Sequence, residues 1–265
     1  MNRRLVLRRR RKRCRRLLFL LAAAVCVFCI VRLCTYEKHS EETQRLDEEL
    51  SELYEESDLS EPVVSAVTQY GYQYIAEAVA EPLRTLYEEN SDLVGWLKIE
   101  DVLSLPVVQG DNNYYLNHDF HGNESDYGTL FLNAAHPFAE ETQVLVVHGH
   151  SMYDGTMFAR IAHYRKNSYA AEHPYLRFTT LYSEDDYEII GALFLDDAQV
   201  ASLLCVPSFR TEAAFTAYIE SLRENALYFT QEEIPTDTAL MILVTCYNDG
   251  KLAAVFKRTD SVPLI

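Results

Sequence analysis

The sequence predicts a mainly β fold. It is a closed or nearly closed antiparallel barrel with peripheral helices: N-terminal helices lead in, and one long helix is inserted before the last strand pair. Two observations predict it. From Asp92 onward, seven short β-type runs are separated by turn residues: Val94 to Ile99, Leu105 to Val108, Thr129 to Leu132, Val144 to His148, Tyr187 to Phe194, Met241 to Thr245 and Leu252 to Phe256. Several strands at such short spacing favour closure into a barrel. One late segment instead repeats apolar residues at helical spacing (Phe215, Tyr218, Ile219, Leu222, Ala226), behind candidate caps at Ser208 and Thr211. A strand-rich stretch of about 175 residues with one core is a single domain.

The elements before the barrel differ in kind. Residues 1–16 form a basic segment without an acidic residue. Within residues 17–36, the apolar run Leu17 to Val31 is interrupted by Arg32 and resumes at Leu33-Cys34. Such a run reaches roughly 20 residues if Arg32 snorkels to the interface and Leu33 to Tyr36 complete the helix. A cleaved signal peptide is the competing reading, but the run ends without a small-x-small site. An uncleaved single-pass anchor is therefore expected, with the basic block in the cytoplasm and the bulk of the chain outside. Residues 37–62 are charged and poor in aromatics. Leu46, Leu50 and Leu53 recur there at helical spacing, the pattern of a solvated acidic stalk. Residues 63–265 form the folded domain. It opens on one or two helices over residues 63–89, marked by Val67, Tyr70, Tyr74, Ile75, Val79, Leu83 and Leu86.

Charge is divided unevenly along the chain. Eleven of the 24 Lys and Arg lie before residue 37, while all 40 acidic residues follow it. The remainder holds 13 basic against 40 acidic residues, a formal charge of −27. Such a body does not bind nucleic acid, whose phosphates require cationic neutralisation. It suits a cationic partner or simply keeps the domain soluble. Beyond the apolar segment only Cys205 and Cys246 follow, too few for a disulfide framework.

Cys246 closes the apolar run Met241-Ile242-Leu243-Val244-Thr245 at the point where a buried strand meets a loop. A second run, Val144 to Val147, ends in His148-Gly149-His150. A thiol and an imidazole at strand ends suggest nucleophilic catalysis, against the commoner fate of a free cysteine as a small buried hydrophobe. Cys205, just before Val206-Pro207, reads as buried and inert. His-x-His also suits a metal pair, but neither Met152 nor the remaining histidines offer ligand spacing, so no metal and no cofactor are expected. His148 reads as a hydrogen-bonded strand-end residue.

Together these segments resemble class B sortases. Val147-His148-Gly149-His150-Ser151-Met152 followed by Asp154-Gly155-Thr156-Met157-Phe158 is similar to the family's histidine segment. Leu243-Val244-Thr245-Cys246 resembles its TLxTC strand end. Asp92 to Ile99 looks like its opening strand, and Pro106 to His118 like the segment that follows. The late helix before the cysteine strand is a further class B trait. The resemblance covers about residues 70 to 258.

The resemblance implies a membrane-anchored cysteine transpeptidase of a Gram-positive-type surface. It would cleave a C-terminal sorting signal after Thr and pass the acyl group through a thioester to a cell-wall peptide amine or a pilin lysine. Cys246 would be the nucleophile and His150 the general acid/base, while Asn112, Leu116 and Thr245 would line the substrate groove. The family's arginine, just before the strand after the cysteine, is replaced here by Lys251. Arg258 stands seven residues later, at the far end of that strand. Lysine keeps the charge but not the planar fork of arginine. Secreted proteins bearing sorting signals are the expected partners, and the membrane is reached through the N-terminal helix. The competing readings are a peptide-binding module of the same fold with little or no turnover, and a peptidase that delivers the acyl group to water.

Overall fold

The computed structural model describes residues 3–56, 67–69, 72–74, 81–139, 142–230 and 233–264. Helical expectations at Tyr70, Ile75 and Val79 lie outside those residues. The chain divides into two compact units, Met1–Arg45 and Leu46–Ile265.

Helix α1 (Arg3–Glu56) runs through both units. In the first unit it exposes Leu18, Phe19, Leu20, Leu21, Val25, Val27, Phe28, Ile30 and Val31. By length and composition this stretch is able to cross a membrane. In the second unit the same helix does something the sequence did not predict. Leu46, Leu50 and Leu53, expected in a solvated stalk, pack against a core of Leu83, Leu86, Leu93 and Trp96, and Leu50 is 1% exposed. Tyr54 stacks on Trp96 with ring centroids 4.7 Å apart, and its hydroxyl pairs with Thr179 Oγ1 at 2.8 Å. An i, i+4, i+7 leucine stripe is the signature of a helix seeking one apolar surface, and the barrel supplies it. Where a helix was expected, Val67–Gln69 (β1) and Tyr72–Tyr74 (β2) instead pair as two short antiparallel strands. Among the described residues of this stretch, the helical pattern is realised in α2 (Glu81–Glu89).

The barrel contains β3 (Leu93–Ile99), β4 (Leu103–Gln109), β5 (Leu130–Leu132), β6 (Val144–His148), β7 (Tyr175–Thr180), β8 (Ser183–Leu195), β10 (Leu240–Tyr247) and β11 (Gly250–Pro263). Their order is β11-β10-β6-β5-β4-β3-β7-β8, closed by the long β8–β11 pairing from Leu195↔Lys251 to Ser183↔Pro263. Strand β9 (Ala226–Phe229) adds to the upper part of β8. All seven expected strands are present. The barrel is not purely antiparallel, however, because β4 pairs with β5 and β6 with β10 in parallel. Side chains alternate with a period of two in either arrangement, so alternation carries no information on direction.

That alternation sorts the core into layers. Leu145, Val147, Met241, Leu243, Leu252, Ala254 and Phe256 point into the barrel. Val144, Val146, Leu240, Ile242, Val244, Ala253 and Val255 point outward. There they are covered by α4 (Asp197–Leu203) and α5 (Glu212–Glu224) through Leu203, Phe215, Ile219 and Leu222. Thr211 caps α5, its hydroxyl accepting from Ala214 N. A 3₁₀ segment (Phe158–Arg165) and α3 (Asn167–Glu172) add Phe158, Ile161, Tyr164 and Ala170 to the inner core.

Truncating Leu50 to Ala removes a buried side chain from the α1–barrel contact and is expected to destabilise the domain by about 2–4 kcal/mol. Denaturant unfolding followed through the fluorescence of Trp96, the chain's one tryptophan, measures this directly. A loss below about 0.5 kcal/mol would show that α1 only rests on the barrel.

Candidate active site

Cys246 and Lys251 face each other across the β10–β11 hairpin as a direct cross-strand pair. The chain turns between them through Tyr247↔Gly250, with Asn248 at φ 52°, a left-handed conformation asparagine tolerates better than most residues. Both side chains lie on the outward face, continuing the rows Ile242–Val244 and Val255–Ala253. Lys251 Nζ donates to Cys246 Sγ at 2.9 Å. Cys246 is exposed, so the helices that cover this face leave the sulfur open. Arg258 pairs with Tyr187 and sits 3.9 Å from the Asp185 carboxylate. The cation beside the thiol is therefore Lys251.

The imidazole arrives from β6. This strand runs parallel to β10 with Val244↔His148 in register. The ladder continues past the strand end, where Gly149 N donates to Val244 O at 3.2 Å and Thr245 Oγ1 donates to Gly149 O at 2.9 Å. His150 and Cys246 are the next residues on the two segments. A side chain does not fit at Gly149, because a Cβ there would stand 2.5 Å from Leu130 Cδ2 and 2.7 Å from Phe158 Cγ. His150 Nε2 lies 2.8 Å from Leu116 O. A carbonyl only accepts, so Nε2 donates in this contact and Nδ1 is the ring nitrogen left for proton exchange.

His148 is built differently. Asn133 Oδ1 accepts from Ala135 N at 2.9 Å, which fixes the amide orientation, and Asn133 Nδ2 then meets His148 Nε2 at 3.1 Å. An amide N–H requires an acceptor, so His148 is neutral. Its ring stacks on Phe131. Burial, then the charges of Lys251 and His136, push its pKa down to about 4. The strand-end, hydrogen-bonded role expected for His148 matches this arrangement.

The residues expected to line a groove are engaged with protein. Asn112 Oδ1 accepts from Ala134 N at 2.7 Å and its Nδ2 meets Asn133 Oδ1 at 3.4 Å, so it braces the loop that holds Asn133. Leu116 packs partly against the α1-covered core and offers its carbonyl to His150. Thr245 is 2% exposed and lies on the barrel-interior side, where it fixes register instead of lining a surface. Cys205, expected to be buried, is exposed. Its apolar neighbours reach the core through Leu203 and Leu204 and leave position 205 outside. Asn133 was missed, since a lone Asn after Leu130–Leu132 gives no signal in sequence.

No protein-family model matches the chain. Among curated proteins it is 25% identical over 181 residues to Sortase B of Listeria monocytogenes, covering 66% of this chain and 72% of that one. It is 23% identical over 172 residues to Sortase B of Staphylococcus aureus, covering 64% and 69%. The crystal structure of sortase B from Bacillus anthracis in complex with AAEK1 superposes with a TM-score of 0.70 at 22% identity, covering 84% of this chain and 99% of that one. The resemblance to class B sortases carried by the sequence motifs thus extends to the whole barrel, and the fold is the sortase fold.

Because the folded pKa of His148 lies below that of an unfolded imidazole, near ~6.5, the unfolded state binds the extra proton between these values. The stability contributed by this site is present above pH ~6.5 and is lost as pH falls towards about 4. Urea unfolding across that window is expected to show a shallower pH slope for His148→Phe than for the native protein. Identical slopes would mean the imidazole is not held neutral.

Proposed function

We propose that this chain is a class B-type sortase, a cysteine transpeptidase anchored by α1 with residues 1–16 in the cytoplasm, 17–36 in the membrane and the barrel outside. The observation that supports this most is the Lys251 Nζ contact with Cys246 Sγ at 2.9 Å, at the end of a strand paired in parallel with the one that leads into His148-Gly149-His150. Its substrates are secreted proteins bearing a C-terminal sorting signal, and its acceptor is a cell-wall peptide or pilin amine.

The chemistry follows from the geometry. The Cys246 thiol passes its proton to Nδ1 of His150, its sulfur attacks the Thr carbonyl carbon of the signal, and the C–S bond forms as the carbonyl oxygen takes up charge. Lys251 is the cation beside both the resting sulfur and the oxygen that develops on the same carbon. Collapse of the adduct breaks the C–N bond, and the departing amine takes its proton from His150. The incoming amine attacks the thioester, the N–C bond forms, sulfur leaves, and the amine proton passes to His150. The carbonyl of Leu116 holds the ring so that only Nδ1 exchanges that proton. Lysine provides a compact, rotatable charge where arginine would provide a fork, which suits one cation serving sulfur and oxygen in turn.

Incubating the protein with a sorting-signal peptide library, with and without an amine, is expected to give an acyl adduct on Cys246 by intact mass that resolves faster with amine. Lys251→Ala is expected to lower kcat/KM by roughly 10²–10³-fold, the scale for loss of one transition-state donor, and Lys251→Arg to stay within about tenfold. Turnover indifferent to amine would make the chain a peptidase. Binding without any adduct would make it a peptide-binding module.

A further inference from the structure

The 3₁₀ segment Phe158–Arg165 sorts its residues with a period of three, because side chains at i and i+3 eclipse on such a helix. Phe158, Ile161 and Tyr164 form one edge, and each is fully buried in the inner core. Arg160, His163 and Lys166 form another edge, and all three are exposed. Lys166 continues that edge because its N–H still donates to His163 O at 3.0 Å, closing one more turn. With a rise of about 2.0 Å per residue, the three positions stand roughly 6 Å apart in a row of about 12 Å.

This row departs from the charge pattern of the acidic domain. Arg84 lies against Glu88, Arg177 against Glu184 and Asp186, Arg223 against Glu220, and Lys257 against Glu188. Among the described residues, no ion pair holds Arg160, Arg165 or Lys166. Arg160 donates to Asp101 O at 2.6 Å and Arg165 to Ala162 O at 2.8 Å, neutral acceptors that leave both charges uncompensated. Burial, then Arg165, Lys166 and Arg160, hold His163 below its ordinary pKa, so three cations act on one spot. Beside the row is a cleft of about 220 Å³ lined by His163, Arg165, Lys166, Ser168, Tyr169 and Glu172. The Ser168 and Tyr169 hydroxyls add neutral donors there, and Glu172 is its one carboxylate.

We propose that this edge docks a linear polymer whose phosphodiester groups are separated by short neutral links. A single small anion does not reach both ends of the row, whereas charges repeated along a chain meet Arg160 and Lys166 together. A phosphodiester carries its charge in the chain itself, so consecutive charges lie in line, and guanidinium and ammonium groups both bind its oxygens. Duplex nucleic acid is a poor match, since it presents one charge per roughly 1.7 Å against one position per roughly 6 Å here. A bilayer is a poor match as well, because a flat anionic sheet also meets the acidic surface around the row. The same acidity repels a polyanion from other faces and confines contact to this edge. The contact makes no use of Cys246 and is independent of the transpeptidase reading.

Two small probes test this against the full chain in neutral detergent micelles. One is propanediol carrying a methyl phosphodiester at each end, and the other is methyl propyl phosphate, which carries a single one. The double ester is expected to bind roughly tenfold or more tightly, because its link delivers the second charge to the row. Binding is read by NMR at the His163 ring, whose titration midpoint is expected to move up as bound phosphates offset the cations around it. Lys166→Gln and Arg160→Gln are each expected to reduce the double ester to the affinity of the single one. Arg160→Lys is expected to keep the advantage, and Lys257→Gln, whose ammonium is already paired, to leave it unchanged. Equal affinities in the native protein, no response at His163, or an advantage that survives both glutamine variants of the row overturns the proposal. Glutarate, with two carboxylates on a similar link, is expected to bind more weakly than the double ester, and equal binding overturns the assignment to phosphate. Binding to phosphatidylglycerol vesicles that depends on Arg160 and Lys166, with no advantage of the double ester over the single one, overturns it in favour of a membrane contact.

Discussion

Eight consecutive cross-strand pairs, from Leu240↔Lys257 to Tyr247↔Gly250, hold β10 and β11 in one register. Everything proposed for the site depends on that pairing. Because side chains alternate, a slip of one residue would send Cys246 into the barrel and bring Thr245 out. The register is protected by burial on both faces. Met241 and Leu243 fill the inner core, and Ile242 and Val244 lie under the α4–α5 cover. The last pair of outward positions, Cys246 and Lys251, emerges from that cover. Reactivity is placed where the ladder is still rigid and the packing has just ended.

The histidine is tied to the same lattice. The parallel β6–β10 pairing sets His148 beside Val244, and the Gly149 and Thr245 hydrogen bonds carry the contact one residue further. Two imidazoles so close together are given opposite hydrogen-bonding roles by their second contacts. A carbonyl oxygen at Leu116 demands a proton on Nε2 of His150, while an amide at Asn133 demands a lone pair on Nε2 of His148. Since His148 stays uncharged beside Lys251, the lysine is not opposed by a second cation at the floor of the site.

Much of this was legible in sequence, and the exceptions have physical reasons. The seven strands show period-two alternation or short apolar runs, and Cys246, His150 and Lys251 fall at strand ends that motifs mark. Strand β7 was not among the seven expected, although Tyr175-Leu176-Arg177-Phe178 alternates exposed and buried in the fold. By contrast β9 is four residues long and carries no such pattern. Strand direction was not legible, because alternation is blind to it. The packing of α1 was hidden for another reason. A leucine stripe states that a helix has one apolar face, but not whether a partner surface is present. Likewise Asn112 and Thr245 looked like groove residues because a motif names positions, whereas their hydrogen bonds, seen only in the fold, commit both to holding the loop and the register.

The contact between the Lys251 ammonium and the Cys246 sulfur is open to a chemical probe that needs no knowledge of the natural substrate. In a Cys205→Ser background, the rate of alkylation at Cys246 by anionic iodoacetate can be compared with that by neutral iodoacetamide, with adducts mapped by mass. An adjacent cation raises the first relative to the second by Coulomb attraction, and salt weakens the effect. The ratio is expected to fall severalfold in Lys251→Gln and to hold in Arg258→Gln. A ratio unchanged by Lys251→Gln would contradict the pairing on which the site is built.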